Sequence, residues 1–322
     1  MANGVLKSQA EYYQDSTTYT GDPGTSTNKY VIEDVYDLCS SELGASVHAE
    51  LVADIDFNSH DTYKLGVSST VIGKSGQNTS MASLDGRGHK IRNLVLKNLT
   101  TYAVSAYKVS NIVFENLVFM GTTSGKLFTN NSGNFNVSSK CAVDNVGIGC
   151  YMYDSSAAAL FCCEGYKIAT WANCSFNVNG KTTDGCNVRY ASYDSSQKLD
   201  MCHINLDIQT VGGTCIDLGS YCSIKSSYFT GKIHQIGDAV SYFVDGGKFN
   251  NSYIAVSATN EVPDFSGYNM NFQEVSAASF VDTDLISVSE GQSPPTNMYY
   301  LTTSQAKDPD YLSSIGFPVV SV

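Results

Sequence analysis

The sequence predicts an all-β chain wound as a right-handed parallel β-helix, a solenoid of short stacked strands. Three observations lead there. The first is a loose repeat of hydrophobic strand pairs from near Asp85 to about Thr259, with an Asn or a small polar residue at most corners. Aligned on that corner, the stretches are Asn93-Leu-Val-Leu96, Asn116-Leu-Val-Phe119, Asn145-Val-Gly-Ile148, Asn173-Cys-Ser-Phe176, Met201-Cys-His-Ile204, Ser226-Ser-Tyr-Phe229 and Asn251-Ser-Tyr-Ile254. Successive anchors lie 23, 29, 28, 28, 25 and 25 residues apart, a period that solenoids of short strands produce and sandwiches do not. The second is the absence of proline between Pro23 and Pro263, as expected where nearly every N–H is needed for a strand ladder. The third is composition: 21 Tyr and 14 Phe against one Trp, with Ser, Thr, Asn and Gly dominating the polar content, suits strands joined by uncharged polar corners.

Taken in order, residues 1–29 are polar and rich in Thr, Ser, Tyr and Gly, with the turn-forming run Gly21-Asp-Pro-Gly24, and read as an extended attachment arm. Residues 30–83 read as a cap. Ile32, Val35, Tyr36 and Cys39 recur at helical spacing before Gly44, and Ala49 to Phe57 follows as a strand. Such a cap covers the edge that a first coil would otherwise expose. Residues 84–288 form the β-helix, interrupted from about Asn260 to Gly267 and completed by one further coil from Phe272 to Val288. Residues 289–322 hold a linker marked by Gly291 and Pro294-Pro295, then a closing segment from Thr302 to Val322.

A chain of 322 residues, 42% hydrophobic and 16% charged, has ample material for a buried core. Its net charge of −12 carries no basic cluster, so release of counterions from a nucleic acid is an unpromising source of binding energy. No apolar run approaches the roughly 20 residues of a membrane span, and Met1 to Thr20 has neither a basic start nor an apolar centre. The chain is therefore expected to fold in a reducing cytoplasm, with most of its ten cysteines, the central ones above all, free. Cys141, Cys150, Cys162, Cys163, Cys174, Cys202, Cys215 and Cys222 mostly lie beside Val, Ile and Phe and read as small buried residues. No C-x-x-C pair occurs, so neither a zinc site nor a redox motif is expected.

Four patterns could carry chemistry. The run Asp54-Ile-Asp-Phe-Asn58 opens like a calcium loop, but Ser59 stands where the turn wants Gly and Leu65 where a bidentate Glu is required. A structural role at a strand end is the expectation. Asp85-Gly-Arg-Gly-His89 reads as a tight corner whose two glycines take positive φ. Catalysis by His89 would need a partner acid and a cleft that the local sequence does not show. Aligned carboxylates on successive coils could cut glycosidic bonds, and Asp184, Asp194, Asp200, Asp207, Asp217, Asp238 and Asp245 are the candidates, none in a recognisable motif. Elimination chemistry has only the isolated pair Arg189-Tyr190 to offer.

Aromatic residues recur through the coils, among them Tyr151, Tyr153, Tyr228, Tyr242 and Tyr253. Some of them pack, and others are free to form a sugar-binding or inter-subunit face. Tyr166, Trp171, Tyr190, Tyr193 and Tyr221 are the candidate ligand-binding residues.

Val35-Tyr-Asp-Leu38, Ala53-Asp-Ile-Asp-Phe57, Val71-Ile-Gly73 and Leu84-Asp-Gly-Arg-Gly-His-Lys-Ile-Arg-Asn-Leu94 follow one another in the order seen in GLUG-type β-helix proteins, which this chain resembles. Leu301-Thr-Thr-Ser-Gln305 and Asp308-Pro-Asp-Tyr-Leu-Ser-Ser-Ile-Gly-Phe317 look like the closing segment of such chains. The likeness covers residues 31–96 and 300–318 and is architectural between them. It implies either a surface adhesin of bacteria or an appendage of a bacteriophage. The lack of an export signal turns the expectation toward the latter: a structural virion protein, a tail spike, fibre or capsid decoration subunit. By the same resemblance it is expected to be a homotrimer on the virion surface, joined to other virion structural proteins and touching a host-surface glycan. No cofactor, metal, nucleic acid or membrane insertion is expected, and no catalysis. A polysaccharide-degrading tailspike and an exported adhesin remain the alternatives.

Overall fold

The fold was obtained as a computed structural model. It describes residues 24–39, 43–44, 47–57, 70–72, 81–97, 102–120, 126–129, 140–155, 163–164, 168–182, 196–212, 216–239, 242–250, 252–260, 268–271, 274–275, 278–281, 286–288, 298–301, 303–306 and 308–314. Strands dominate these segments, and helices are confined to Val35–Leu38, Thr303–Ala306 and Pro309–Ser314. The strands form one sheet of 21 and a second of four, and every strand pairing among the described residues is parallel.

Two long ladders run through the larger sheet. In one, Ser175–Thr182, His203–Gly212, Tyr228–Ala239 and Ser252–Asn260 pair in turn. In the other, Lys140–Ser155 is followed by Ile168–Ala172, Ser196–Asp200, Ile216–Lys225 and Tyr242–Asn250. Within single rungs whose side chains are described, such as residues 175–178 and 202–208, inward and outward residues alternate. Phe176, Ile204 and Phe229 share one buried column, as do Val143, Trp171, Leu199 and Ile224. Each such side chain removed from water contributes about 1.5–3 kcal/mol. Because the side-chain period is two, slipping any strand by one residue would turn its whole apolar column outward, which pins the register.

At the N-terminal end the observed elements differ from the expected helix. Ile32 closes the strand Tyr30–Ile32, which pairs with His48–Leu51, and the helix is the single turn Val35–Leu38. The β-branched Val31 and Ile32 have a parallel neighbour to pair with, and Asp34 then starts the turn: its Oδ1 accepts the Asp37 N–H at 3.0 Å while Asp37 Oδ2 accepts that of Glu33 at 3.1 Å. The expected strand from Ala49 to Phe57 is likewise two, His48–Leu51 and Ile55–Asp56, broken where Asp54 turns out to meet the next rung. The expected interruption before Gly267 and the linker at 290–297 fall outside the described residues. Beyond them Met298–Leu301 pairs with Ala278–Val281, and the two short helices follow.

The corners explain the repeat. Asn93, Asn116, Asn145, Asn173, Met201 and Ser226 all hold φ between 48° and 58°, the left-handed region that Asn tolerates best among residues with a side chain. These are six of the seven expected anchors; Asn251 is outside the described residues. The backbone N–H of a corner residue donates to the carbonyl just before the next corner: Asn93 to Glu115, Asn173 to Asp200, Met201 to Lys225, Ser226 to Asn250.

One alignment needs correcting. Asn145 does not follow Asn116: Asp144 pairs with Ser110 and Val146 with Ile112, so Asn145 stands over Asn111, whose Oδ1 accepts its amide at 3.0 Å. Asn111 has φ 53° and is a corner that single-anchor alignment misses. Asn116 belongs with Asn93 in a separate column, joined at 2.7 Å, which ends where the register shifts between Ile148 and Cys150.

Candidate functional site

Charged side chains at the N-terminal end are spent on joining rungs. Lys29 lies 3.3 Å from Glu50 and 3.1 Å from Asp85, and Arg87 lies 3.1 Å from Glu50. Arg92 pairs with Asp56 at 3.0 Å and Lys90 with Glu115 at 3.1 Å. Burial alone would raise the Asp85 carboxyl, but hydrogen bonds from Asn111, the Arg87 N–H and Lys29 hold it below the usual carboxylate range. Asp54 is also held low, chiefly by the Lys90 N–H, with His89 beside it. His89 thus has the acid that the local sequence did not show, its Nδ1 being 3.2 Å from Asp54 Oδ1. Both side chains are about two-fifths exposed, and the acid is shared with the Lys90 backbone. The pair bridges two rungs.

The glycines of Asp85-Gly-Arg-Gly-His89 divide their work differently from the expectation. Gly88 takes φ 87°, but the other left-handed residue is Arg87, at 51°. Gly86 is needed for space, because a Cβ there would collide with the Asn111 carbonyl and Ile112.

Just inside the corner, Cys174, Cys202, Ser227 and Ser252 form a buried column. Cys174 Sγ donates to Ala172 O at 3.1 Å, Ser227 Oγ to Lys225 O at 2.8 Å and Ser252 Oγ to Asn250 O at 3.0 Å. Ser227 Oγ in turn accepts the Cys202 N–H at 3.0 Å. The Cys202 sulfur alongside Cys174, together with burial, pushes the Cys174 thiol well up, so it stays protonated. Cys39, Cys174, Cys202 and Cys222 are free thiols.

The outward face of the ladder from Ser175 to Ala239 is different in kind. Register aligns Asn177, Asn205 and Thr230 in one column, Ser175, His203 and Tyr228 in a second, and Asn179, Asp207 and Lys232 in a third. His203 and Tyr228 are stacked, ring centroids 4.2 Å apart and planes at 15°. Tyr228 remains 45% exposed, and Met201 at the adjoining corner 55%. His203 Nε2 meets Thr230 Oγ1 at 2.8 Å, Thr230 Oγ1 donates to Asn205 Oδ1 at 3.0 Å, and Asn205 Nδ2 donates to Asn177 Oδ1 at 2.9 Å. Burial depresses the His203 pKa below its ordinary value, which favours the neutral ring. Asp207 and Lys232 are 3.3 Å apart and offset each other's charge.

Of the five expected ligand-binding aromatics, Trp171 is corrected. It is 1% exposed, with its ring 5.4 Å from that of Phe176, because its position alternates inward with Val143 and Leu199. Tyr221 lies on the strand Ile216–Lys225. Tyr166, Tyr190 and Tyr193 lie outside the described residues. Among the described residues the exposed aromatic is Tyr228; its alternation with Phe229 was legible, but nothing in the sequence pointed to His203 as its partner. Among the aspartates, Asp217 pairs in register with Asp245, while Asp184 and Asp194 lie outside the described residues.

Among the described residues no three His, Cys, Asp or Glu side chains gather as a metal site, and no helix is long and apolar enough to cross a membrane. What the outward face offers is hydrogen bonding without net charge beside an exposed ring. No family model, curated protein or solved structure matches this chain.

Proposed function

We propose that the chain is a right-handed parallel β-helix serving as a structural protein of a bacteriophage particle, a spike, fibre or decoration subunit that contacts glycans of the host surface. The observation that carries this reading is the outward column of amides and hydroxyls held in register over parallel rungs at Asn177, Asn205 and Thr230. Sugar hydroxyls both donate and accept, and a rigid array of such groups binds them without ordering cost. Trimerisation, implied by the resemblance to bacteriophage spikes, multiplies weak contacts through effective concentration. The test has two arms. Antibody against the chain should label the outside of purified particles, and the purified chain should bind host surface polysaccharide without releasing reducing ends. Failure to bind that polysaccharide, or absence from the particle, overturns the reading.

A second reading has one observation in its favour. The register pairing of Asp217 with Asp245 sets two carboxylate-bearing residues on neighbouring rungs, the aligned arrangement that a glycoside hydrolase on such a fold would use. Release of reducing ends that is abolished by Asp217→Asn or Asp245→Asn would replace binding alone with hydrolysis.

A further inference from the structure

The hydrogen bonds of the outward strip run in one direction, and that direction fixes what is left for a ligand. Thr230 spends its only proton on Asn205 Oδ1, so it must accept from His203 Nε2. The neutral His203 ring is therefore the Nε2–H tautomer, and its Nδ1 is an acceptor. Asn205 gives one amide proton to Asn177 Oδ1, which Asn179 Nδ2 also approaches at 3.5 Å. Within the described residues, Asn177 keeps both amide protons and Asn205 keeps one. The strip thus presents a surplus of neutral N–H donors, one imidazole acceptor and the exposed edge of Tyr228.

We propose that this strip is a subsite for a neutral polysaccharide whose chain runs across the strands, successive sugar residues meeting successive rungs. The proposal rests on the glycan-binding reading above and gives it a location and a ligand class. Rungs of a parallel sheet repeat at about 4.8 Å, close to the length of one pyranose unit, so a glycan in this orientation stays in step with Asn177, Asn205 and Thr230. Charge argues for a neutral ligand: Asp207 and Lys232 offset each other within the strip, while the chain as a whole carries −12 and repels polyanions. The stacked pair stands beside the amide column as a wall. One ring face of Tyr228 is taken by His203, so the wall offers ring edge and hydroxyl to the sugar. Stacking also holds the ring in place before any ligand arrives.

The full chain should be titrated calorimetrically with cellohexaose and maltohexaose as neutral probes and hexagalacturonate as the anionic one. At least one neutral probe should bind about tenfold more tightly than the anionic probe. Asn205→Ala and Tyr228→Ala should each weaken that binding about five- to tenfold, the loss of one or two ligand hydrogen bonds, with the melting temperature of each variant within a few degrees of the parent. Asn177→Ala, more exposed and at the end of the chain of bonds, is the second variant should either of these fail to fold. Neutral probes that bind but ignore all three substitutions overturn the strip while leaving the wider glycan reading standing. Binding of the anionic probe alone, or of no probe, overturns the proposal, and so does an oligomer that falls apart on Tyr228→Ala, since the strip would then be covered by a second copy.

Discussion

A left-handed corner sets a demand on its residue that burial does not, and this chain meets it unevenly. Asn145 satisfies it twice over, by tolerating φ 54° and by giving its amide to Asn111. Replacing it with Ala should cost about 1–2 kcal/mol in urea unfolding, and with Gly less, since Gly recovers the backbone part but not the hydrogen bond. Met201 holds the same conformation with its side chain mostly exposed, so Met201→Gly should raise stability by about 1 kcal/mol. Glycine positions separate strain from space in the same way. Gly231 has φ 110°, and a Cβ there would collide with the Leu206 carbonyl; Gly88 has φ 87° and open surroundings. Gly231→Ala should therefore destabilise by more than 3 kcal/mol and Gly88→Ala by about 1–2 kcal/mol, measured as the shift in unfolding midpoint. The corners were legible because Asn recurs there at solenoid spacing. Asn111 was not, because it lies only five residues before Asn116 and a one-anchor repeat has no place for it. Trp171 was grouped with the ligand-binding aromatics for a related reason: aromatics recur through the coils, and only the register with Val143 and Leu199 shows that its position points inward.

Elements inherit opposite electrostatic habits from the two ends of the described ladder. Among the described residues the early rungs are tied chiefly by Lys29, Glu50, Asp85, Arg87, Asp54, His89, Asp56 and Arg92, the later ones by amides and hydroxyls beside the Asp207–Lys232 pair. Asp85 and Asp54 have folded pKa values below their unfolded ones, so their stabilisation is present above the usual carboxylate pKa of about 3.9 and is lost as pH falls through the folded values. Acidification from pH 6 to pH 3 should therefore raise hydrogen exchange first in Tyr30–Ile32, His48–Leu51 and Ser83–Asp85, with His203–Gly212 still protected. Simultaneous loss of protection in both regions would show that the ion pairs do not hold the cap. The interior column makes the reverse prediction. Cys174 and Cys202 are buried, and Cys174 is held protonated, so iodoacetamide should label neither at pH 8 until denaturant exceeds the unfolding midpoint. Labelling in the native state would show that the column opens locally.

At the scale of the whole molecule, the question is where the fold begins and what lies beyond it. Residues 1–29 read as one polar arm, yet the last of them are built into the first rungs: His48 N–H donates to Gly24 O at 2.7 Å, Asn28 is buried, and Lys29 bridges Glu50 and Asp85. A helix or strand signal could not have marked this, because residues 24–29 contribute a turn and one ammonium group, both of which matter only once rungs from residues 48 and 83 are beside them. Of the expected attachment arm at residues 1–29, then, residues 24–29 belong to the first rungs, which leaves residues 1–23 as the part to test for attachment. Removing 1–23 should leave the melting temperature within about 2 °C of the full chain. Removing 1–29 deletes the turn and two ion pairs and should lower it by several degrees more, at about 2–4 °C per kcal/mol for a chain of this size. On the proposed reading of a trimeric virion subunit, both truncations should keep the sedimentation mass of the full chain if the ladders themselves form the subunit contact, and both should fail to join the particle. A 1–23 deletion that incorporates normally would remove the arm from the attachment scheme, and one that sediments as a monomer would move the subunit contact into the arm.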